Sequence, residues 1–428
     1  MKTTMASALS GHRNSLGLLR LVLAAAVIFS HAKPLGGFGR DPLLGVTNGQ
    51  ASLGSLAVAG FFAISGYVIA QSGLRSDPMQ FLWRRALRIF PAFWVVLLVS
   101  AFIVAPIAYA TSTGKSLLAV FGVDGVGPVQ YFFNNWTLTI GSWGIDGVFV
   151  TDTPYGRAGH TAMNGSIWTL SYEWICYMVI LGLMVFGVLK KAKVLIAALA
   201  GFLLLAQLFA LTNPAGLAAV APYLADPLRI QLMFVFLVGA TIALYGEQVA
   251  YSDSLGILSG VVLLLTLRFG GFQTLGVMAG AYFVLYLGAR LPRVFHSIGA
   301  KNDYSYGVYI YGFVVQQCLA AMGLWKLGYL PFALVALVIT LGCAWLSWHG
   351  VEKRAMALKS WGPGRGLAFW YEWLGAQAAR LRSAARPRRV GATVSSLIPS
   401  TDDVGLAATA IAAEVAPARA AAPVLDPV

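Results

Sequence analysis

Long apolar segments, separated by shorter polar connections, dominate the pattern along this chain of 428 residues. A helix needs about 20 consecutive apolar residues to span a bilayer. Ten segments approach that length: 15–32, 52–71, 86–110, 165–189, 192–212, 229–246, 254–268, 272–289, 304–323 and 330–350. Because their apolar residues are continuous rather than alternating, the pattern favours helices over a β-barrel. The expected fold is an all-α polytopic membrane protein with about ten transmembrane helices.

Basic residues are concentrated in alternate connections, which indicates how the predicted helices are oriented. Most lysines and arginines precede the first span or follow the second, fourth, eighth and tenth spans. Cytoplasmic loops are enriched in Lys and Arg, so we expect these connections and both termini to be cytoplasmic. The first span resembles a signal peptide, but the many later spans favour a retained helix.

This topology predicts three regions. Residues 1–14 form a cytoplasmic N-terminal segment, and residues 15–357 form the membrane domain. Residues 358–428 form a cytoplasmic tail that is first basic and then rich in Ala and Pro. We expect this tail to be largely disordered, with its basic part near anionic lipid headgroups.

The composition agrees with a membrane protein and excludes several other classes. Hydrophobic residues make up 58% of the chain and charged residues 11%, whereas a soluble domain carries about a quarter of charged residues. The net charge of +14 does not indicate nucleic-acid binding, because the basic residues lie beside apolar segments. The three cysteines lie in apolar runs, without the spacing of metal ligands. No Walker-type loop, Gly-x-Ser-x-Gly turn or metal-binding motif is present in the sequence.

Two ionisable residues share one face of the first predicted helix. Arg20 and His31 lie eleven residues apart, which is almost three helical turns and a rise of roughly 16 Å. Ionisable groups inside a bilayer are costly and commonly functional. This pair is therefore the first candidate site.

A basic cluster begins the third predicted span, where Arg84, Arg85 and Arg88 precede Pro91. One interpretation is a cytoplasmic anchor with snorkelling side chains. The other is a polyphosphate site, because guanidinium groups match phosphate oxygens. Arg88 lies deeper in the apolar stretch than an anchor requires.

A carboxylate, Glu173, lies in the first turns of the fourth predicted span. A buried carboxylate must be paired, protonated or functional. The predicted topology places both Glu173 and His31 at the outer ends of their helices, so the two side chains can pair. The alternative is that Glu173 makes a purely structural polar contact between helices. Glu352 and Lys353, after the tenth span, are interpreted as cytoplasmic anchors.

Taken together and in order, the motifs of this chain resemble those of the acyltransferase-3 family of integral membrane acyltransferases. They are Arg-x10-His from Arg20 to His31, Phe-Phe-x-x-Ser-Gly-Tyr from Phe61 to Tyr67, Arg-Arg-x-x-Arg-Ile-x-Pro from Arg84 to Pro91, Trp-Ser/Thr-Leu-Ser-x-Glu from Trp168 to Glu173, Ser-Tyr-x-x-Tyr from Ser305 to Tyr309, and Val-Glu-Lys from Val351 to Lys353. Many members have a histidine three residues after the last tyrosine, where this chain has Gly312. If that histidine binds the acceptor elsewhere, Tyr311 or Gln316 is its replacement here.

The resemblance implies acyl transfer from an acyl-CoA donor, usually acetyl-CoA, to a saccharide of the bacterial cell surface, in the cytoplasmic (inner) membrane. The implied donor-binding residues are Arg20, Arg84, Arg85 and Arg88. The implied catalytic residues are His31, as general base, and Glu173, which orients it. Direct attack by the acceptor and an acyl-histidine relay are both compatible with the sequence.

Acceptor binding and the class of protein leave more alternatives open. The candidate acceptor-binding residues are Asn164, Ser166, Tyr172, Ser305 and Tyr309. The rival function is a transporter or flippase for a lipid-linked saccharide, in which intramembrane charges line a pathway. Against it stands the lack of an inverted repeat. We expect no metal and no nucleic-acid partner.

Overall fold

A computed structural model describes residues 3–11 and 14–384 of the chain. The basic residues Lys2, His12 and Arg13 of the predicted N-terminal segment lie outside the described residues, as does the predicted tail from 385 to 428. The chain divides into two units after Leu374, and the contacts given below belong to the first unit.

Helices account for the regular structure of the described residues. In order, the α-helices there are α1 Met5–Ala8, α2 Leu16–Leu35, α3 Pro42–Val46, α4 Leu53–Arg75, α5 Pro78–Val99, α6 Ala105–Thr113, α7 Pro128–Asn135, α8 Pro154–Arg157, α9 Trp168–Val185, α10 Val188–Lys191, α11 Val194–Thr212, α12 Pro214–Val220, α13 Pro227–Leu244, α14 Asp253–Phe269, α15 Val277–Arg290, α16 Ser305–Ala321, α17 Tyr329–Ser347, α18 Lys353–Ala357 and α19 Leu367–Ala384. Single π-helical turns cover Ser100–Val104, Phe272–Gly276 and Trp348–Glu352, and short 3-10 segments cover Leu117–Gly122, Pro222–Leu224, Arg293–Ser297, Leu324–Leu327, Leu358–Ser360 and Gly362–Arg365.

Eight helical segments in the described part of the chain are long and apolar enough to cross a membrane. They are Leu16–Leu35, Leu53–Arg75, Pro78–Thr113, Trp168–Val185, Val194–Thr212, Pro227–Leu244, Phe272–Arg290 and Tyr329–Ser360. The two other predicted spans correspond to α14 and α16, which have 17 residues each and are about 26 Å long. The all-α polytopic membrane fold is therefore confirmed, while the count of ten spans and the sidedness stay predictions.

Helix α4 lies at the centre of the bundle and crosses α13 with their backbones in contact. A Cβ atom on Gly66 would lie 1.9 Å from the carbonyl oxygen of Phe236, and one on Gly239 would lie 2.2 Å from that of Ala63. Only glycine fits at both positions. Small residues allow such close approach of membrane helices, which explains the Ser-Gly pair within the Phe61–Tyr67 motif.

The long connection before α9 is held in shape by a buried amide. The side chain of Asn135 donates to the carbonyl oxygens of Tyr131 at 2.8 Å and Ser142 at 2.9 Å, and it accepts from the N–H of Gly141 at 3.0 Å. The N–H of Met163 donates to the carbonyl oxygen of Trp143 at 2.8 Å. This connection is consequently a folded layer beside α9 rather than a simple polar loop.

The first residues of the predicted tail are ordered. The indole of Trp83 in α5 donates to the carbonyl oxygen of Leu358 at 2.9 Å, and the N–H of Leu367 donates to Asp77 at 3.2 Å. Residues up to Leu374 thus extend the folded unit beyond the membrane domain expected from the sequence. The expectation that the tail is largely disordered stays a prediction.

Candidate functional site

Four charged side chains from distant parts of the chain form one ion-pair cluster. Asp303, just before α16, accepts from Arg20 of α2 at 2.6 Å and from Arg88 of α5 at 2.7 Å through the same carboxylate oxygen. Arg88 also pairs with Glu352, the last residue of the π-helical turn that follows α17, at 3.1 Å. The cluster therefore joins four membrane helices at one end of the bundle.

Neighbouring hydrogen bonds fix both carboxylates of this cluster. The N–H and hydroxyl of Ser305 donate to the second oxygen of Asp303 at 3.1 Å and 2.5 Å, and Ser347 donates to Glu352 at 3.0 Å. Burial alone raises the pKa of Asp303, but Arg20 and Arg88 outweigh it and lower that pKa to about 2. Asp303 is consequently ionised at any physiological pH.

These contacts change the interpretation of three residues. Glu352 is not the solvated anchor that the sequence suggested, because it is 2% exposed and paired with Arg88. Arg88 and Arg20, predicted to bind donor phosphates, are already neutralised by carboxylates of the chain. Sequence reasoning missed Asp303, although an Asp two positions before Ser305 is typical of a turn in which the carboxylate accepts from the N–H two residues on, as it does here.

A small cavity lies beside the cluster. Its volume is about 90 Å³, and it is lined among others by Arg20, Ser65, Arg85, Thr169, Glu173, Tyr177 and Tyr309. Glu173 accepts hydrogen bonds from Tyr177 at 2.5 Å and from Ser65 at 3.1 Å. The Nε atoms of Arg84 and Arg85 are buried without a hydrogen-bond partner among the described residues. Arg85 is thus a cation with donor capacity left for a ligand.

His31 borders a second cavity, with a volume of about 260 Å³, together with Ser30, Ser52, Ser55, Trp168, Gln231 and Tyr309. Its ring contacts the edge of Phe313, with 5.3 Å between centroids. Among the described residues, no hydrogen bond is made by its imidazole, and the predicted pairing with Glu173 is not present. The carboxylate that interacts electrostatically with His31 is Asp41, which accepts a hydrogen bond from the neighbouring Ser30 at 2.5 Å.

The two cavities adjoin each other along one face of α2. Val58 and Tyr309 line both of them. The hydroxyl groups of Tyr309 and Thr169 are 2.5 Å apart. Arg20 lies at one of these cavities and His31 at the other.

The other predicted acceptor-binding residues have different surroundings in the structure. The amide of Asn164 donates to the carbonyl oxygen of Ile310 at 2.8 Å and accepts from the N–H of Ser166 at 3.1 Å, so it is used in holding the segment before α9 against α16. The hydroxyl of Ser166 is buried without a partner among the described residues. Tyr172 faces a different cavity and donates to Asp226.

The position where many acyltransferase-3 members carry histidine has no space for one here. A Cβ atom on Gly312 would lie 2.9 Å from Cγ1 of Ile28 in α2. Gln316, suggested as a replacement, is fully buried and donates to the carbonyl oxygen of Ile28 at 2.8 Å. This amide therefore binds α2 to α16.

Comparison with known proteins identifies the family to which this chain belongs. A family model described as an acyltransferase domain matches residues 13–349. A protein named O-acetyl transferase from Shigella phage Sf6 is 30% identical over 357 residues, which cover 81% of this chain and 97% of that protein. Nodulation protein 10 from Rhizobium leguminosarum bv. viciae is 30% identical over 378 residues, or 82% and 95% of the two chains.

A third relative matches only a short part of this chain. The acyltransferase MdmB from Streptomyces mycarofaciens is 34% identical over 86 residues, which cover 20% of this chain and 21% of that protein. No solved structure matches the chain significantly. The family match spans nearly the whole helical bundle, including both cavities. The chain therefore belongs to the acyltransferase-3 family and is a membrane-embedded O-acyltransferase.

Proposed function

We propose that this protein transfers an acetyl group from acetyl-CoA, bound from the cytoplasmic side, to a hydroxyl of a cell-surface or lipid-linked saccharide in the bacterial cytoplasmic membrane. The observation that carries the proposal is the pair of adjoining cavities on one face of α2, with cationic residues at one and an imidazole at the other. The name of the phage relative supports acetyl as the group transferred. Family membership favours this function over a transporter.

The donor end of the site is assigned to Arg84 and Arg85. Both guanidinium groups carry buried Nε atoms without protein partners in the described chain, and guanidinium groups bind phosphate oxygens well. Arg20 and Arg88 act differently, because Asp303 and Glu352 neutralise them. We assign these two arginines to positioning α2 and α5 around the donor.

The reaction is assigned to His31 as general base. Its neutral imidazole takes the proton from the acceptor hydroxyl while that oxygen attacks the thioester carbonyl carbon. The C–S bond then breaks, and the imidazolium returns the proton to the departing CoA thiolate. The products are an acetyl ester and free CoA. A positioned base of this kind contributes about 10²–10⁴ in rate.

Glu173 has a positioning role in this proposal instead of a direct contact with His31. Its carboxylate accepts from Ser65 and Tyr177 and lines the same cavity as Arg85. It therefore supplies a counter-charge beside Arg85 and holds α4 against α9. Tyr309 lies between the two cavities and is assigned to guiding the acetyl end of the donor toward His31.

The proposal is tested with purified protein in lipid nanodiscs and acetyl-CoA labelled in the acetyl group. We measure donor binding by equilibrium filtration and acetyl release by scintillation counting. The change His31→Ala is expected to lower acetyl release at least about 100-fold and to leave donor binding unchanged. His160→Ala, which removes an exposed imidazole in the outer connection, serves as the control and retains full activity.

Arg85→Ala tests the other end of the site. Donor affinity is expected to fall about tenfold or more, since an unpaired guanidinium that meets a phosphate makes a charge-assisted contact. If the wild-type protein neither binds nor consumes acetyl-CoA, the proposed donor is wrong. Equal loss of donor binding in the His31→Ala variant would contradict the separation of roles.

A further inference from the structure

A third cavity adjoins the one that contains His31. Its volume is about 530 Å³, and Trp168 and Leu228 line both cavities. The residues that give it its character are the aromatic Trp143, Trp168 and Tyr172 and the polar Thr139, Ser171 and Arg229. By the predicted topology it opens on the side opposite the ion-pair cluster, where the acceptor arrives.

The aromatic part of this cavity is fixed before any ligand binds. The ring of Tyr172 packs against the edge of Trp168, with 5.4 Å between centroids, and its hydroxyl donates to Asp226. The guanidinium of Arg229 lies over the Tyr172 ring at 5.3 Å and over the Tyr223 ring at 4.4 Å. Rings held in this way lose little freedom when they bind a ligand.

The cavity also retains polar capacity. One nitrogen of Arg229 donates to the carbonyl oxygen of Tyr223 at 2.6 Å, whereas its Nε is buried without a partner in the described residues. Thr139 and Ser171 add hydroxyl groups to the lining. Trp143 is 50% exposed, and the N–H of Met163 donates to its carbonyl oxygen, so a held backbone presents this indole as an apolar surface next to polar groups.

We propose that this cavity binds the sugar ring next to the ring that is acetylated, so that the enzyme recognises at least two residues of its saccharide acceptor. A pyranose has an apolar C–H face, which packs on an indole, and equatorial hydroxyls, which need hydrogen-bond partners. Apolar and aromatic walls with a few placed polar groups are typical of small-molecule sites. The inference rests on the proposed function, because the acetylated ring must lie in the His31 cavity.

The charge of the lining favours a sugar over a phosphate group as the occupant. Arg229 is the only cationic residue among the described residues that line this cavity, and Asp226 lies 3.9 Å from its guanidinium. A phosphate would require more uncompensated positive charge. The Nε–H of Arg229, which has no partner among the described residues, suits a hydroxyl or a ring oxygen.

The test compares one-ring and two-ring acceptors. Methyl glycosides of glucose, galactose, mannose, rhamnose and N-acetylglucosamine, and disaccharides that extend each by one residue, are supplied with labelled acetyl-CoA. Initial rates give kcat and KM for the acceptors that react. With wild-type protein we expect the KM of a disaccharide to be about tenfold below that of its monosaccharide, which corresponds to one well-formed subsite.

Trp143→Ala is expected to remove this disaccharide advantage and to leave donor binding and the monosaccharide KM unchanged. Trp143→Phe restores part of the advantage, because it keeps an apolar ring. Trp136→Ala is the matched control, since Trp136 is 46% exposed, lies in the same connection and is absent from the lining of this cavity.

Two results would overturn the proposal while leaving the proposed function intact. One is transfer by the wild type with equal KM for one-ring and two-ring acceptors. The other is an undiminished disaccharide advantage in Trp143→Ala. Lack of transfer to every acceptor, by contrast, contradicts the proposed function together with the subsite.

Discussion

Replacement of Asp303 by Asn is the sharpest test of the ion-pair cluster. The change removes the carboxylate oxygen that Arg20 contacts at 2.6 Å and Arg88 at 2.7 Å, with almost no change in volume. Loss of one partner from a buried pair costs about 3–5 kcal/mol. Arg20 is 31% exposed and Arg88 keeps Glu352, so solvent and the second carboxylate reduce the penalty to about 3 kcal/mol.

This free energy corresponds to a measurable shift in thermal unfolding. For a membrane domain larger than 250 residues, 1 kcal/mol changes the midpoint by about 2 °C, so Asp303→Asn is expected to lower it by about 6 °C. A thiol-reactive dye reports unfolding in detergent, because Cys176 is buried and Cys318 and Cys343 are half-buried. Asp253→Asn, which removes an exposed partner of Arg290, is the control and leaves the midpoint unchanged.

The pH dependence gives a second measurement of the same pair. The pKa of Asp303 is about 2 in the folded protein, below the ordinary value of about 4. The pair therefore stabilises fully above about pH 4 and loses this contribution as the pH falls toward 2. Between pH 6 and 8 the difference between wild type and Asp303→Asn is expected to stay constant.

A double variant decides whether Arg20 and Asp303 act together. Residues in direct contact show non-additive effects, so Asp303→Asn should cost less in an Arg20→Met background than in the wild type. The reasoning is refuted if the two shifts add, or if Asp303→Asn unfolds within 1 °C of the wild type.

Three further predictions concern packing and donor binding. Gly66→Ala is expected to lower the unfolding midpoint strongly, because the new methyl group meets a carbonyl oxygen at 1.9 Å. Gly201→Ala is the control and leaves the midpoint unchanged, because no atom lies within 4 Å of the new methyl group. Equal midpoints for the two variants would contradict the close crossing of α4 and α13. Gly312→His is expected to abolish the peak of folded protein on gel filtration. Adding Ile28→Ala to that variant restores part of the peak, because it opens space beside position 312. A well-folded Gly312→His variant contradicts the close packing of α2 and α16. Arg85→Lys is expected to weaken acetyl-CoA binding severalfold in equilibrium filtration, because Lys lacks the guanidinium fork; unchanged affinity removes Arg85 from the donor site.

Much of the fold follows from local pattern. The predicted span at 15–32 corresponds to α2, which covers Leu16–Leu35, because helix periodicity and apolar length are properties of neighbouring residues. Small residues such as the Ser-Gly pair of the second span are typical of closely packed membrane helices, and Gly66 meets α13 directly. Such features need no knowledge of distant partners.

The pairing of charges could not be predicted in the same way. The predicted topology places His31 and Glu173 at the same end of the bundle. The depth of a residue in the membrane, however, does not determine which neighbouring helix its side chain faces. In the structure Glu173 contacts Ser65 and Tyr177. The same limit applies to Arg88, for which the sequence predicts a donor phosphate as partner, since Asp303 and Glu352 lie more than 200 residues away along the chain.

The ion-pair cluster also has a consequence for the order in which the protein is made. Asp303 is 283 residues from Arg20 and 215 from Arg88, so the ribosome completes both arginine-bearing helices long before their counter-charge exists. Unpaired cations are costly inside a bilayer and extend toward the interface. A nascent chain that stops before Asp303 therefore carries two unmatched guanidinium groups, and we expect α2 and α5 to dock late in biogenesis. Because Glu352 follows α17, Arg88 gains its second partner only when nearly all of the membrane domain has been synthesised.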